Sequence, residues 1–112
     1  MIKIEASARL SRFDKIRDAL ANIGIRFFTM KEVNGFGLQG GEKRMYRGSI
    51  YDADYIARLQ IDIIVDDDRV EEIIDTIAVA GKTGEVGDGK VTVYNVEQVV
   101  RIRTGERGSD AI

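Results

Sequence analysis

The residues best suited to chemistry lie in one octapeptide, TGEVGDGK, from Thr83 to Lys90. Gly84, four further residues, Gly89 and Lys90 reproduce the spacing of a nucleotide-binding P-loop, in which backbone N–H groups cradle phosphates and the lysine reaches them. A P-loop continues with Ser or Thr to hold Mg²⁺, and then with a helix. Here Val91 follows, and it belongs to KVTVYNV, which reads as a strand. A P-loop NTPase is therefore not expected. The closely spaced glycines can still turn their N–H groups inward as an anion nest, with Lys90 adding positive charge. The competing reading is a helix-to-strand turn that needs φ > 0 at glycine, and the loop taken alone favours that turn. Arg101 and Arg103 shift the balance. Two apart on a predicted strand, they share a face, and paired guanidiniums suit a di- or triphosphate. A third stretch holds Tyr46, Arg47, Ser49 and Tyr51, the side chains a protein-binding loop uses. Ser49 and Tyr51 are candidate modification sites, where a phosphoryl group would change the loop's charge.

The totals exclude much else. The 112 residues suffice for one domain, and 44% hydrophobic with 32% charged residues is an ordinary globular composition. The formal net charge of −2 gives no reason to expect nucleic acid as a partner. There is no Cys and no His. That removes disulfides, thiolate nucleophiles, zinc clusters, the commonest general base and the commonest metal ligand. No apolar run reaches membrane-spanning length and no signal peptide opens the chain. The expectation is a cytoplasmic protein without direct membrane insertion, open to recruitment by a membrane partner.

The chemistry-bearing residues must be positioned by regular elements. Ile2, Ile4 and Ala6 alternate with Lys3 and Glu5, which is strand periodicity. Ser11-Arg12-Phe13-Asp14 resembles a capping box, and Phe13, Ile16, Leu20 and Ile23 then mark one helical face that Gly24 is placed to end. Ile25 to Val33 reads as a second strand. Asn34 to Asp54 shows no sustained period, and a structureless loop of that length is unusual in a compact domain: it is either a functional loop or a wrong assignment. Leu59, Ile61, Ile63 and Val65 define a third strand, and Asp66-Asp67-Asp68 offers an N-cap for a helix faced by Val70, Ile73, Ile74 and Ile77. KVTVYNV is a fourth strand, Val96 to Arg103 a shorter β-rich segment, and the tail is polar. This order, strand-helix-strand twice over, predicts an α+β, ferredoxin-like βαββαβ domain with helices on one face of an antiparallel sheet. The second face, with Ile2 and Ile4 on one side of the first strand and Ile64 off-face on the third, must be solvated or buried, which raises a homo-oligomer with facing sheets.

Several stretches together resemble the PII signal-transduction family: EVNGFGLQ (32–39), MYRGSIY (45–51), KTGEVGDGKVTVYNV (82–96) and VVRIRTGERGSDAI (99–112). The match runs end to end as one domain, 1–112. GLQ, and ARL before the third strand, look most like Gram-positive variants of the family. The resemblance implies a homotrimer that binds ATP or ADP between subunits, a T-loop at about 37–55, a phosphate loop at 82–90 and a C-terminal segment at 97–112. It places Gly87, Asp88, Gly89 and Lys90 on phosphate, with Arg101 and Arg103 reaching in from the neighbouring subunit. It places Thr29, Ile64 and the backbone of Gly35 and Gly37 around adenine and ribose, with Leu38 where many members have a nucleotide-reaching arginine. The family's second ligand, 2-oxoglutarate, chelates Mg²⁺ bound by the ATP phosphates and by a glutamine, here Gln39. Arg9, Gly37, Gln39, Gly41 and Arg58 match that site, Arg58 standing where lysine is usual; the two are not interchangeable. Ser49 and Tyr51 match residues modified in some members.

Two regulatory readings follow, and one catalytic rival. In the first, the T-loop of a nitrogen and energy sensor controls an ammonium channel, an enzyme or a transcription factor. In the second, favoured by Arg58 and Leu38, an adenylate sensor that ignores 2-oxoglutarate controls another transporter, such as an ABC importer ATPase. The rival, an ATP-hydrolysing enzyme, lacks an evident group to position an attacking water, so no catalytic residue is expected.

Overall fold

The computed structural model describes residues 1–38, 44–46, 49–51 and 53–112, with side chains described for 1–36 and 57–112. In chain order the elements are β1 (Ile2–Arg9), α1 (Phe13–Asn22), β2 (Thr29–Leu38), β3 (Arg44–Tyr46), β4 (Ser49–Tyr51), β5 (Ala53–Val65), α2 (Val70–Gly81) and β6 (Lys90–Asn95). The main sheet is antiparallel in the order β2-β5-β1-β6, which is the ferredoxin-like plan. Burial follows the period of two along β1: Ile4, Ala6 and Ala8 are buried, and the residues between them are half-exposed. Leu59, Ile61, Ile63 and Val65 of β5 extend the same layer. Ile16 and Leu20 of α1 and Val70, Ile73 and Ile77 of α2 close over it. Ile2 packs against this core as well, so Ile2 and Ile4 belong to the helix-covered face and not to the open one.

The open face is a polar lattice. Gln60 donates to Glu5 at 2.6 Å, Tyr94 Oη donates to the other Glu5 oxygen at 2.9 Å, and Lys3 lies 3.9 Å from Asp62 and over the Tyr94 ring. Ile64 is an apolar exception on this face, 38% exposed. The hydrogen bond to Glu5, backed by its negative charge, raises the Tyr94 pKa, because the phenolate would sit beside a carboxylate.

Four expectations need correction. The second strand does not begin at Ile25. Residues 25–28 carry no strand pairing; Ile25 is buried without it, and β2 starts at Thr29. Nor is 34–54 a single irregular loop, since β2 runs to Leu38 paired with β5 down to Ala53, and β3 pairs with β4. Backbone pairing supplies there the order that Gly35 and Gly37 hide from any side-chain period. Ser11 and Asp66 cap no helix. Each helix is preceded by a 3₁₀ turn (Leu10–Arg12 and Asp67–Arg69) with no side-chain cap bond. The Asp66 carboxylate instead accepts from Ser109 Oγ at 2.8 Å, and Asp67 binds the N-terminal amine at 2.9 Å. Finally, Val96 to Arg103 forms no strand: a single bridge joins Val100 to Arg107, and residues 102–104 turn.

Candidate functional site

The loop between α2 and β6 is built around one carboxylate. Asp88 Oδ2 accepts the backbone N–H groups of Thr83 and Gly84, each at 2.9 Å, and Oδ1 accepts the Thr83 hydroxyl and Arg9 Nε, the latter at 3.0 Å. These donors, the Thr83 hydroxyl and the Arg9 guanidinium foremost, hold the Asp88 carboxyl far below the usual carboxylate range. The Asp88 side chain is therefore committed to shaping the loop.

The glycines carry the turns. Gly84, Gly87 and Gly89 have φ of 91°, 106° and 95°, where a side chain strains the backbone. Gly89 has a second reason to be glycine: a Cβ there would lie 1.7 Å from the Ser7 carbonyl oxygen, so the loop is pressed directly onto β1. Lys90 follows as the exposed first residue of β6, paired with Ser7.

Arg9 and Arg58 join the loop from below. They are cross-strand partners at the end of the β1–β5 ladder, on the open face. Arg9 Nη2 donates to the Val86 carbonyl and Arg58 Nη1 to the Gly87 carbonyl, both at 2.7 Å. Neither arginine was singled out by residue pattern. Only the resemblance marked them, and it marked them for a different partner; contacts 77, 79 and 29 residues apart leave no local signal.

At the other end of the same strands lies a cavity of about 750 Å³. Thr29 and Ile64 line it together, with Lys3, Phe27 and Asp62 beside them. Phe27 is 85% exposed, an aromatic wall that no pattern in the sequence singles out. A smaller cavity of about 290 Å³ lies beneath the loop, between α2 and Ser7, Ala8, Gly89 and Lys90. Along β1, Lys3 lies opposite Ile64 and Ser7 opposite Lys90. Four residues of strand, about 13 Å, thus separate the two ends of the site.

The remaining predicted residues divide. Gly35 lies on β2 with the Arg58 side chain against its backbone; a Cβ there would meet Nε at 3.0 Å. Gly37 and Leu38 end β2, and Ser49 and Tyr51 bound β4. Gln39 and Gly41 lie outside the described residues. Arg101 and Arg103 do not join the loop. Arg101 donates to the Ile112 carbonyl at 3.1 Å and pairs with Glu106 at 3.6 Å, and Arg103 is exposed in the turn. Their shared strand face does not exist. Among the described residues no group of three or more His, Cys, Asp or Glu side chains could hold a metal, and no helix is long and apolar enough to cross a membrane.

Known proteins place this geometry. The family model for nitrogen regulatory protein P-II matches residues 1–106. Proteins of that name from Nostoc punctiforme and Synechocystis sp. are 46% and 45% identical over 112 residues, covering both chains completely. A crystal structure of Arabidopsis thaliana PII bound to citrate superposes with a TM-score of 0.81 at 40% identity, covering 99% of this chain and 91% of that one.

Proposed function

We propose a nucleotide-responsive regulator, from the premise that the chain belongs to the nitrogen regulatory protein P-II family, whose members are signalling regulators and not enzymes. The ligand is ATP or ADP. The observation that carries this reading is the strand-long separation of two unlike subsites. An open cavity walled by Phe27, Ile64 and Thr29 suits a flat base and its ribose. About 13 Å along β1, a glycine loop with Lys90 suits a polyphosphate. The residues fit such a ligand: the positive-φ glycines leave the loop backbone bare for close approach, and Lys90 supplies charge. Mg²⁺ would enter with the phosphates, with Gln39 as its protein ligand.

Arg101 and Arg103 complete the site from a second copy in a homotrimer. Within one chain Arg101 is held by the chain's own C-terminal segment, away from the loop. The T-loop, about 37–55, is the output element. ATP and ADP favour different T-loop conformations by their differential affinity, and so shift the population that docks on a target. In the first reading the target is a nitrogen-metabolism protein: an ammonium channel, an enzyme or a transcription factor. Recruitment to a membrane would follow from a transporter partner.

The bond from Arg58 to the Gly87 carbonyl favours the second reading, an adenylate sensor that does not bind 2-oxoglutarate and controls another transporter, such as an ABC importer ATPase. That guanidinium already has an internal partner, whereas the 2-oxoglutarate site needs a free cation. Calorimetric titration of MgATP with and without 2-oxoglutarate, and of ADP alone, separates the readings. Heat from ATP and ADP, with no response to 2-oxoglutarate, supports the adenylate sensor. Binding of 2-oxoglutarate only with MgATP restores the nitrogen sensor. No heat from either nucleotide refutes both.

A further inference from the structure

We propose that Arg58 and Arg9 are positioning residues that aim the Gly87 and Asp88 N–H groups at bound phosphate by holding the carbonyls on the other side of the same peptide units. The proposal rests on the nucleotide reading and names what builds its anion site. In a trans peptide the carbonyl and the following N–H point in opposite directions, and the described residues include no cis peptide. Arg9 draws the Val86 oxygen toward the sheet, which turns the Gly87 N–H away from it. Arg58 draws the Gly87 oxygen the same way, which turns the Asp88 N–H outward beside it. Among the described residues neither N–H has a hydrogen-bond partner. Two successive free amides on one side of a turn make an anion nest.

The arrangement also accounts for the arginines themselves. Like charges directly opposite on antiparallel strands repel, and Arg9 and Arg58 are such a pair. The loop lies over them as the counter-charge, offering two carbonyl oxygens and the Asp88 carboxylate. Gly35 makes room: any side chain there would crowd Arg58 Nε at 3.0 Å and its Cγ and Cδ at 3.3 Å. Arg58 therefore acts on the ligand through the loop and does not touch it. Lysine at this position has no fork and no planar group to lie flat on Gly35.

The test titrates ATP into wild type, Arg58→Met and Arg58→Lys, and follows the Gly87 and Asp88 amide resonances before and after. Adenosine, followed by the Ile64 methyl resonance, probes the base subsite alone. The expected result for Arg58→Met is about tenfold weaker ATP binding, shifted free-state resonances of both amides, and unchanged adenosine binding. Arg58→Lys recovers part of the affinity. Equal loss of ATP and adenosine binding would make Arg58 a general structural residue and overturn the proposal, as would an unchanged ATP affinity. Failure of the wild type to bind ATP would instead remove the nucleotide reading, and the proposal with it.

Discussion

The glycine loop, 82–90, and the C-terminal segment, 97–112, are both glycine-bearing, arginine-associated turns, and they are built in opposite ways. The loop is locked to its own chain. Asp88 gathers its N-terminal half, Arg9 and Arg58 hold its carbonyls, and Gly89 sits against Ser7 with no room for a Cβ. The C-terminal segment folds mainly on itself, through Arg101 to Ile112 and Gly108 to Val99. Its glycines, Gly105 and Gly108, have positive φ but open space around them. Ser109 to Asp66 ties it to the body. One turn is held on three sides by its own chain, and the other leaves Arg103 exposed. In the proposed trimer that guanidinium would meet the loop of a neighbouring copy.

The contrast breaks most visibly at Gly89. Gly89→Ala must push the loop off β1 as well as strain φ, so ATP affinity should fall by more than about 100-fold, with a lower melting temperature. Gly105→Ala meets nothing and should cost only about 1–2 kcal/mol of stability. Calorimetry and thermal melting on both variants check the contrast, and equal effects would erase it. Next comes the double variant Arg101→Gln/Arg103→Gln. It should weaken ATP binding by about tenfold or more. An unchanged affinity would mean that the two regions share no ligand.

A smaller effect is expected at Asp88. Asp88→Asn should accelerate amide exchange at Thr83 and Gly84 and weaken ATP binding several-fold, about three- to tenfold. The same carboxylate sets an acid limit. Its pKa is depressed in the folded chain, so its contribution to stability is present above the unfolded value of 3.8 and is lost as pH falls through the lower folded value. Protection of the Thr83 and Gly84 amides should therefore persist as pH falls through 3.8 and fail only below it. Loss of protection near pH 5 would contradict the assigned partners. Smallest is Gly84→Ala, at φ 91° but in open space. It should cost about 1–2 kcal/mol and change ATP affinity little.

Legibility in the sequence tracked locality. The alternation of β1 and of the second half of β5, and the helical faces of α1 and α2, are short-range patterns, and each of those elements forms where its period places it. The N-terminal half of β5 and the second half of β2 do not show in the sequence, because NGFGL has no period and is ordered only by its register against 53–57. RIR at 101–103 has strand-like alternation but no partner strand, so hydrogen bonds from Gly105 and to Glu106 turn it instead. The glycines and Lys90 of the loop were plain to see. That Asp88 is the loop's anchor, and Arg9 and Arg58 its struts, depends on β1 and β5 being brought under it, which only the fold decides.

The central claim is that one nucleotide site takes its loop from one copy and its arginines from the next. Complementation tests it most directly. Lys90→Ala removes the loop's charge, and Arg101→Gln/Arg103→Gln removes the arginines; each protein alone should bind ATP poorly. Refolded together in equal amounts as random trimers, they should regain wild-type affinity at about one quarter of the sites, the fraction in which an intact loop faces intact arginines. A mixture that binds no better than either variant alone would contradict a site shared between copies.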